Sequence, residues 1–176
     1  LFAVLSEVPF DLMYGGTVFY PVHQNVIWTL LLGLLGIRLM EAARAKGKRW
    51  LYVLTCAAVV VLGFALGTLG MVDYYGAGVL TVFAFFFFRE RKWWCLLGQL
   101  AALYWLNVVV LGGQMYPVTL FGREIELCEQ GLALLALVPI WLYRGRQGHH
   151  SKAFQYACYA FYPAHMLVLA LLTMIQ

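Results

Sequence analysis

Two residues three apart in the last apolar stretch of the chain, Tyr162 and His165, are the first candidates for chemistry. The stretch runs over 154–175, so a helix there places His165 roughly 20 Å along its axis from Lys152, near mid-depth in a hydrocarbon core about 30 Å thick. A titratable group at that depth is costly unless it faces a wet cavity or a partner, which makes it a functional-site hypothesis by default. Tyr162 and His165 share a helix face. Pro163 between them frees a carbonyl one turn earlier and is expected to kink the helix. An imidazole there suits a general base, with the phenol as hydrogen-bond partner. The bland alternative is a packing histidine bonded to an amide.

Further polar residues interrupt apolar surroundings elsewhere. Ser6-Glu7-Val8-Pro9-Phe10-Asp11 is expected to end a first helix at Pro9, leaving Glu7 and Asp11 to face a cavity or an interfacial loop. His23-Gln24-Asn25 opens the next helix. One of the three suffices as a cap, and the set suits a polar pocket. Asp73, ahead of Tyr74-Tyr75-Gly76-Ala77-Gly78, is expected to cap a short helix and to serve a site as well. Gln99, Asn107 and Gln130 are single amides that interhelical hydrogen bonding explains. Cys56, Cys95, Cys128 and Cys158 fall on separate segments and read as packing residues, so no metal site is expected.

These residues must be positioned by membrane-spanning elements. The chain has 176 residues, 64% hydrophobic and 11% charged, against roughly 25% charged in a soluble domain. That composition excludes a soluble domain and leaves nothing to bind nucleic acid. The expectation is an all-α, polytopic membrane bundle in one domain, 1–176, with about six complete spans at 24–40, 50–69, 74–88, 93–111, 127–143 and 154–175. The opening Leu1-Phe2-Ala3-Val4-Leu5 reads as the tail of a helix already under way, so further helices are expected upstream.

The loops alternate in charge. Eleven of the twelve basic residues follow the first, third and fifth segments, and only Arg123 lies on the other face. The positive-inside rule puts those three loops in the cytoplasm and the carboxy terminus outside it. Orientation and anionic lipid account for most of the basic residues. Arg89 and Arg144, nearest the helix ends, are the better candidates for holding an anionic cofactor.

Taken in order, several stretches resemble the TraX family: Leu5-Ser6-Glu7-Val8-Pro9-Phe10-Asp11-Leu12, His23-Gln24-Asn25-Val26, Asp73-Tyr74-Tyr75-Gly76 with Gly78-Val79-Leu80, Leu142-Tyr143 with Gly145, and Phe161-Tyr162-Pro163-Ala164-His165. The resemblance covers essentially the whole chain. It implies a multi-span protein of the bacterial inner membrane, related to the acyltransferase-3 group, whose name-giving member acetylates the amino terminus of a conjugative pilin. The family's first helix normally carries an Asp-His pair, which is not in this sequence.

The leading expectation is therefore acyl transfer, most simply from acetyl-CoA, to an amine or hydroxyl acceptor on a pilin-like protein or a glycan. His165 would act as base with Tyr162 beside it. Glu7, Asp11, His23, Gln24, Asn25 and Asp73 would shape the acceptor end, and Arg89 and Arg144 would hold the donor. Two rivals remain from the sequence: a proton-coupled transporter or permease, and a non-catalytic assembly subunit of a conjugation or secretion system.

Overall fold

A computed structural model describes the chain apart from Phe121, Arg144, Arg146, Gln147, His149, His150 and Gln176. Helix α1 spans Phe2–Gly15, α2 Val26–Ala45, α3 Arg49–Leu69 and α4 Tyr75–Phe87. Helix α5, Trp93–Leu103, continues as a wider π-helical stretch, Tyr104–Leu111. Strands β1, Met115–Leu120, and β2, Arg123–Cys128, form an antiparallel hairpin. A 3-10 stretch, Glu129–Ala136, leads into α6, Leu137–Leu142, and α7 covers Lys152–Ile175.

Among the described residues, four helices are long and apolar enough to cross a membrane: 26–45, 49–69, 93–111 and 152–173. The expected six spans are not all of that length. The third segment yields only the 13 residues of α4. The fifth is broken up: its first residues join β2, and Pro139, which offers no N–H and crowds the carbonyl four residues back, sits just after a 3-10 rather than an α ladder. The hairpin also departs from an all-α architecture. Its alternation, Tyr116 and Val118 against Ile125 and Leu127, is a period-two signal bounded by Gly122 at φ 76°. Pro9 and Pro163 are likewise carried inside helices. Pro9 does not end α1, and α7 runs through Pro163. Membrane helices tolerate proline where neighbouring groups take up the freed backbone.

The core lies between α2, α3 and α4. Phe83 of α4 is 2% exposed, and its ring sits where side chains on Gly36 of α2 and Gly63 of α3 would have to go, each added Cβ meeting it at 2.6–2.7 Å. Gly67, one turn on from Gly63, lets the Tyr75 carbonyl come within 2.9 Å of where a Cβ on Gly67 would stand. Small residues thus let three helices close around one aromatic, which is how helices associate where lipid supplies no hydrophobic drive. Val59, Met40, Val72 and Val79 complete this cluster.

Basic residues that follow α2 and α4 gather at one end. Arg89, after α4, pairs with Glu41 near the end of α2 at 3.2 Å and lies over the Phe86 ring. Arg91 donates to the Trp141 and Tyr143 carbonyls at the end of α6, taking up acceptors that a helix terminus leaves open. At the opposite end, the segments entering α2 and α4 run side by side. The Gln24 N–H donates to the Met71 carbonyl at 2.9 Å, in a parallel bridge with Val72. The amino termini of α2 and α4 therefore converge, and α1 and α7 pack against each other beside them.

Candidate functional site

The site is built on that convergence. Asn25 is fully buried and caps α2: its Oδ1 accepts from the Ile27 N–H at 3.0 Å. Its Nδ2 donates to the Ala3 carbonyl at 2.8 Å and, in a short contact, to Glu7 Oε2. These three bonds use both amide hydrogens and the carbonyl oxygen of the side chain and fix its orientation. Glu7 also accepts from Trp28 Nε1 at 2.8 Å and from the Asn25 N–H at 3.4 Å. A carboxylate on α1 therefore sits at the amino-terminal end of α2, where the helix dipole favours negative charge.

His23 and Asp73 form the second pair. Nε2 of His23 lies 3.4 Å from Asp73 Oδ1. The imidazole is 8% exposed and packs among Phe10, Tyr14 and Tyr75, with ring centroids 5.6, 4.6 and 5.8 Å away. Asp73 was expected to cap α4. The cap position belongs instead to Tyr74, in the left-handed region at φ 60°, with no side-chain cap bond. That turn, with Tyr75 also at φ 51°, directs the Asp73 carbonyl to the Thr29 hydroxyl at 2.7 Å, while the carboxylate meets His23. Burial pushes the Asp73 carboxyl above its ordinary value of 3.8, opposed by the facing imidazole.

Asp11 is 2% exposed. One oxygen accepts the Tyr20 N–H at 3.0 Å, tying the loop after α1 back onto the helix, and the other has no hydrogen-bond partner. The Ser6 hydroxyl is likewise buried and unpartnered. Gln24 stays at the rim, bonded to the Pro21 carbonyl at 3.1 Å.

Helix α7 contributes Tyr162 but not His165. The Tyr162 hydroxyl is buried beside the Val26 N–H at the first turn of α2, without a bond of good geometry, and within the fields of Asp73 and Glu7. His165 Nδ1 lies 3.0 Å from the Phe161 carbonyl of its own helix. Its ring stacks on Phe161 at 5.0 Å and meets Tyr162 edge-on at 5.3 Å. Among the described residues it has no hydrogen bond to Glu7, His23 or Asp73. The pairing of His23 with Asp73 had no local signal in the sequence, since forty-nine intervening residues separate the two.

A cavity of about 320 Å³ adjoins the site between α2, α4, α5 and the 3-10 stretch. Its lining includes Val26 and Tyr74, neighbours in sequence of Asn25 and Asp73, and at the other extreme Ile140. The Thr81 and Thr29 hydroxyls are turned to backbone carbonyls, so the walls are mostly apolar. Asn107 bonds the Leu103 carbonyl at 2.9 Å where the helix widens into its π-helical stretch, a feature frequent at functional sites. Ile140 also borders a polar groove of about 370 Å³ at the basic end, lined by Arg89, Arg91, Gln99 and Trp141. Arg89 is thus at a groove, though already engaged by Glu41. Arg144 lies outside the described residues.

No curated protein and no solved structure matches the chain. A family model described as TraX protein matches residues 1–173, and so the chain belongs to the TraX family.

Proposed function

We propose that this chain serves as a membrane acyltransferase that moves an acetyl group from acetyl-CoA to an amine or hydroxyl acceptor, in line with the pilin acetylation that TraX membership suggests. The single observation that carries the reading is the pairing of buried His23 with part-buried Asp73 beside the Glu7–Asn25 network. With Nε2 engaged by Asp73, the imidazole keeps its N–H there and presents the Nδ1 lone pair as general base. As the acceptor attacks the thioester carbonyl, its proton passes to His23 Nδ1. The C–S bond then breaks and the leaving thiolate takes the proton from the His23 imidazolium, which restores the neutral base. The Tyr162 hydroxyl, buried and without a bond, is an available donor to the developing oxyanion.

The positive-inside rule places the basic end in the cytoplasm of a bacterial inner membrane and this site toward the outer face, with α4 and the apolar segment 129–142 counted among about six spans. The groove at Arg89 and Arg91 suits the donor's phosphates. It is separated from the site by α4, 13 residues or about 20 Å, and the apolar cavity that Ile140 shares with it offers the thioester arm a route.

The test is transfer of radiolabelled acetyl by the full-length protein in membranes. His23→Ala lowers labelling by about 10²-fold or more, and His165→Ala lowers it far less. Undiminished labelling in His23→Ala removes the proposed base. Solute flux in proteoliposomes lacking any acyl donor would replace this reading with that of a permease.

A further inference from the structure

The β1–β2 hairpin stands apart from the bundle, and its register sorts its side chains by chemistry. Tyr116 faces Leu127 and Val118 faces Ile125, so these four share one side; Pro117 faces Glu126 and Thr119 faces Glu124, so the other side carries the carboxylates. The four apolar residues are 38–48% exposed, and nothing among the described residues covers them. A lone two-stranded hairpin of this length is marginal in water. Arg123, at the tip, falls in register on the apolar side and has no ion-pair partner among the described residues.

We infer that this apolar side lies on the surface of the membrane, in the leaflet at the site's end of the bundle, with Arg123 on an anionic phospholipid headgroup. Two observations select lipid over a protein partner. The hairpin begins at Met115, four residues beyond Leu111, the end of a candidate span whose last turn exposes the apolar Val109 and Val110. The arrangement is that of an interfacial element: a tyrosine and aliphatic residues toward the acyl chains, a long cationic side chain reaching phosphate, and carboxylates in water. Gly112 and Gly113, at φ 67° and 115°, let the chain turn sharply out of the helix to lie along the interface. The hairpin would thereby form a fixed rim beside the mouth of the site, where Glu129 at its base neighbours Tyr74.

The test uses nitroxide labels at Val118→Cys, Ile125→Cys, Thr119→Cys and Glu124→Cys, in the full chain with native cysteines replaced by alanine, in vesicles containing phosphatidylglycerol. Positions 118 and 125 are expected to favour relaxation by oxygen over a water-soluble nickel complex several-fold, and 119 and 124 the reverse. Equal access of the nickel complex to all four overturns the inference. So does shielding of 118 and 125 from both reagents, which would mean a protein cover. On the unaltered chain, trypsin cleavage after Arg123 is expected to be several-fold slower in phosphatidylglycerol vesicles than in phosphatidylcholine vesicles with the site end outward. Equal rates there also overturn it.

Discussion

Glu7 of α1 holds the first turn of α2 through Asn25, which donates to the Glu7 carboxylate with its side chain and, at 3.4 Å, with its backbone N–H. The link crosses between two helices, so the carboxylate is part of the scaffold as well as of the site. Removing one partner of a buried hydrogen-bonded group leaves the other unsatisfied, at about 1–3 kcal/mol. Asn25→Ala, which also loses the cap, is expected to lower the Tm in detergent clearly more than Glu7→Gln, which keeps the shape and most of the bonding. The double variant should fall short of the sum of the two losses by at least about 0.5 kcal/mol, read from a double-mutant cycle. Strict additivity would show that the two groups do not act together.

His23 and Asp73 should fail together in catalysis. Asp73→Asn is expected to leave acceptor binding largely intact while lowering kcat about as far as His23→Ala, because an amide no longer holds the imidazole in its working tautomer. Measured kcat for the two single variants and the double variant checks this. Multiplied losses in the double variant would mean independent roles.

The pH dependence of stability carries a sign. Burial raises the folded-state value of the Asp73 carboxyl above its ordinary 3.8, so the folded protein holds that proton more tightly than the unfolded chain. The associated stability is fully present below the ordinary value and is lost as pH rises through the raised one. The Tm of the wild type is therefore expected to fall relative to Asp73→Asn as pH climbs from about 4, and to level off above the folded value. An increase of the wild type relative to the variant over that range would show that the attraction of His23 outweighs burial.

Arg89 should affect the donor and not the chemistry. Arg89→Ala removes one guanidinium from the basic groove and breaks the pair with Glu41. The expectation is a higher KM for acetyl-CoA, by about tenfold for each ~1.4 kcal/mol of lost phosphate contact, with kcat little changed. An unchanged KM would place the donor's phosphates elsewhere.

The packing around Phe83 predicts intolerance of bulk. Gly63→Leu would drive a side chain into the space the Phe83 ring occupies, an overpacking expected to cost about 1–3 kcal/mol and to lower the Tm. Pairing it with Phe83→Ala should recover part of that loss, since the smaller residue vacates the space. No recovery would mean that the glycine serves something other than this contact.

Several features were open to reading in the sequence because they depend on composition or on near neighbours. The apolar segments, the alternation of basic loops, the Asn25 cap and the Gly63 and Gly67 approach each follow from properties that act over a turn or two of helix. The hairpin was readable too, in the alternation of Arg123-Glu124-Ile125-Glu126-Leu127, but a polar connection between spans reads first as a loop. Depth in the membrane and spacing along one helix point to Tyr162 and His165, but neither distinguishes a side chain facing the bundle from one bonded to its own helix.

By itself, then, the sequence determined a helical membrane protein of the TraX family, its distribution of charge and the set of polar residues requiring explanation. The tertiary structure alone decided which of them meet. It joined Glu7 to Asn25 and His23 to Asp73, brought Tyr162 to the start of α2 and left His165 on Phe161. The physical reason is that these pairings are made where the entries to α2 and α4 run side by side. That juxtaposition is set by how closely α2, α3 and α4 pack around Phe83, a long-range contact to which no local pattern of residue types corresponds.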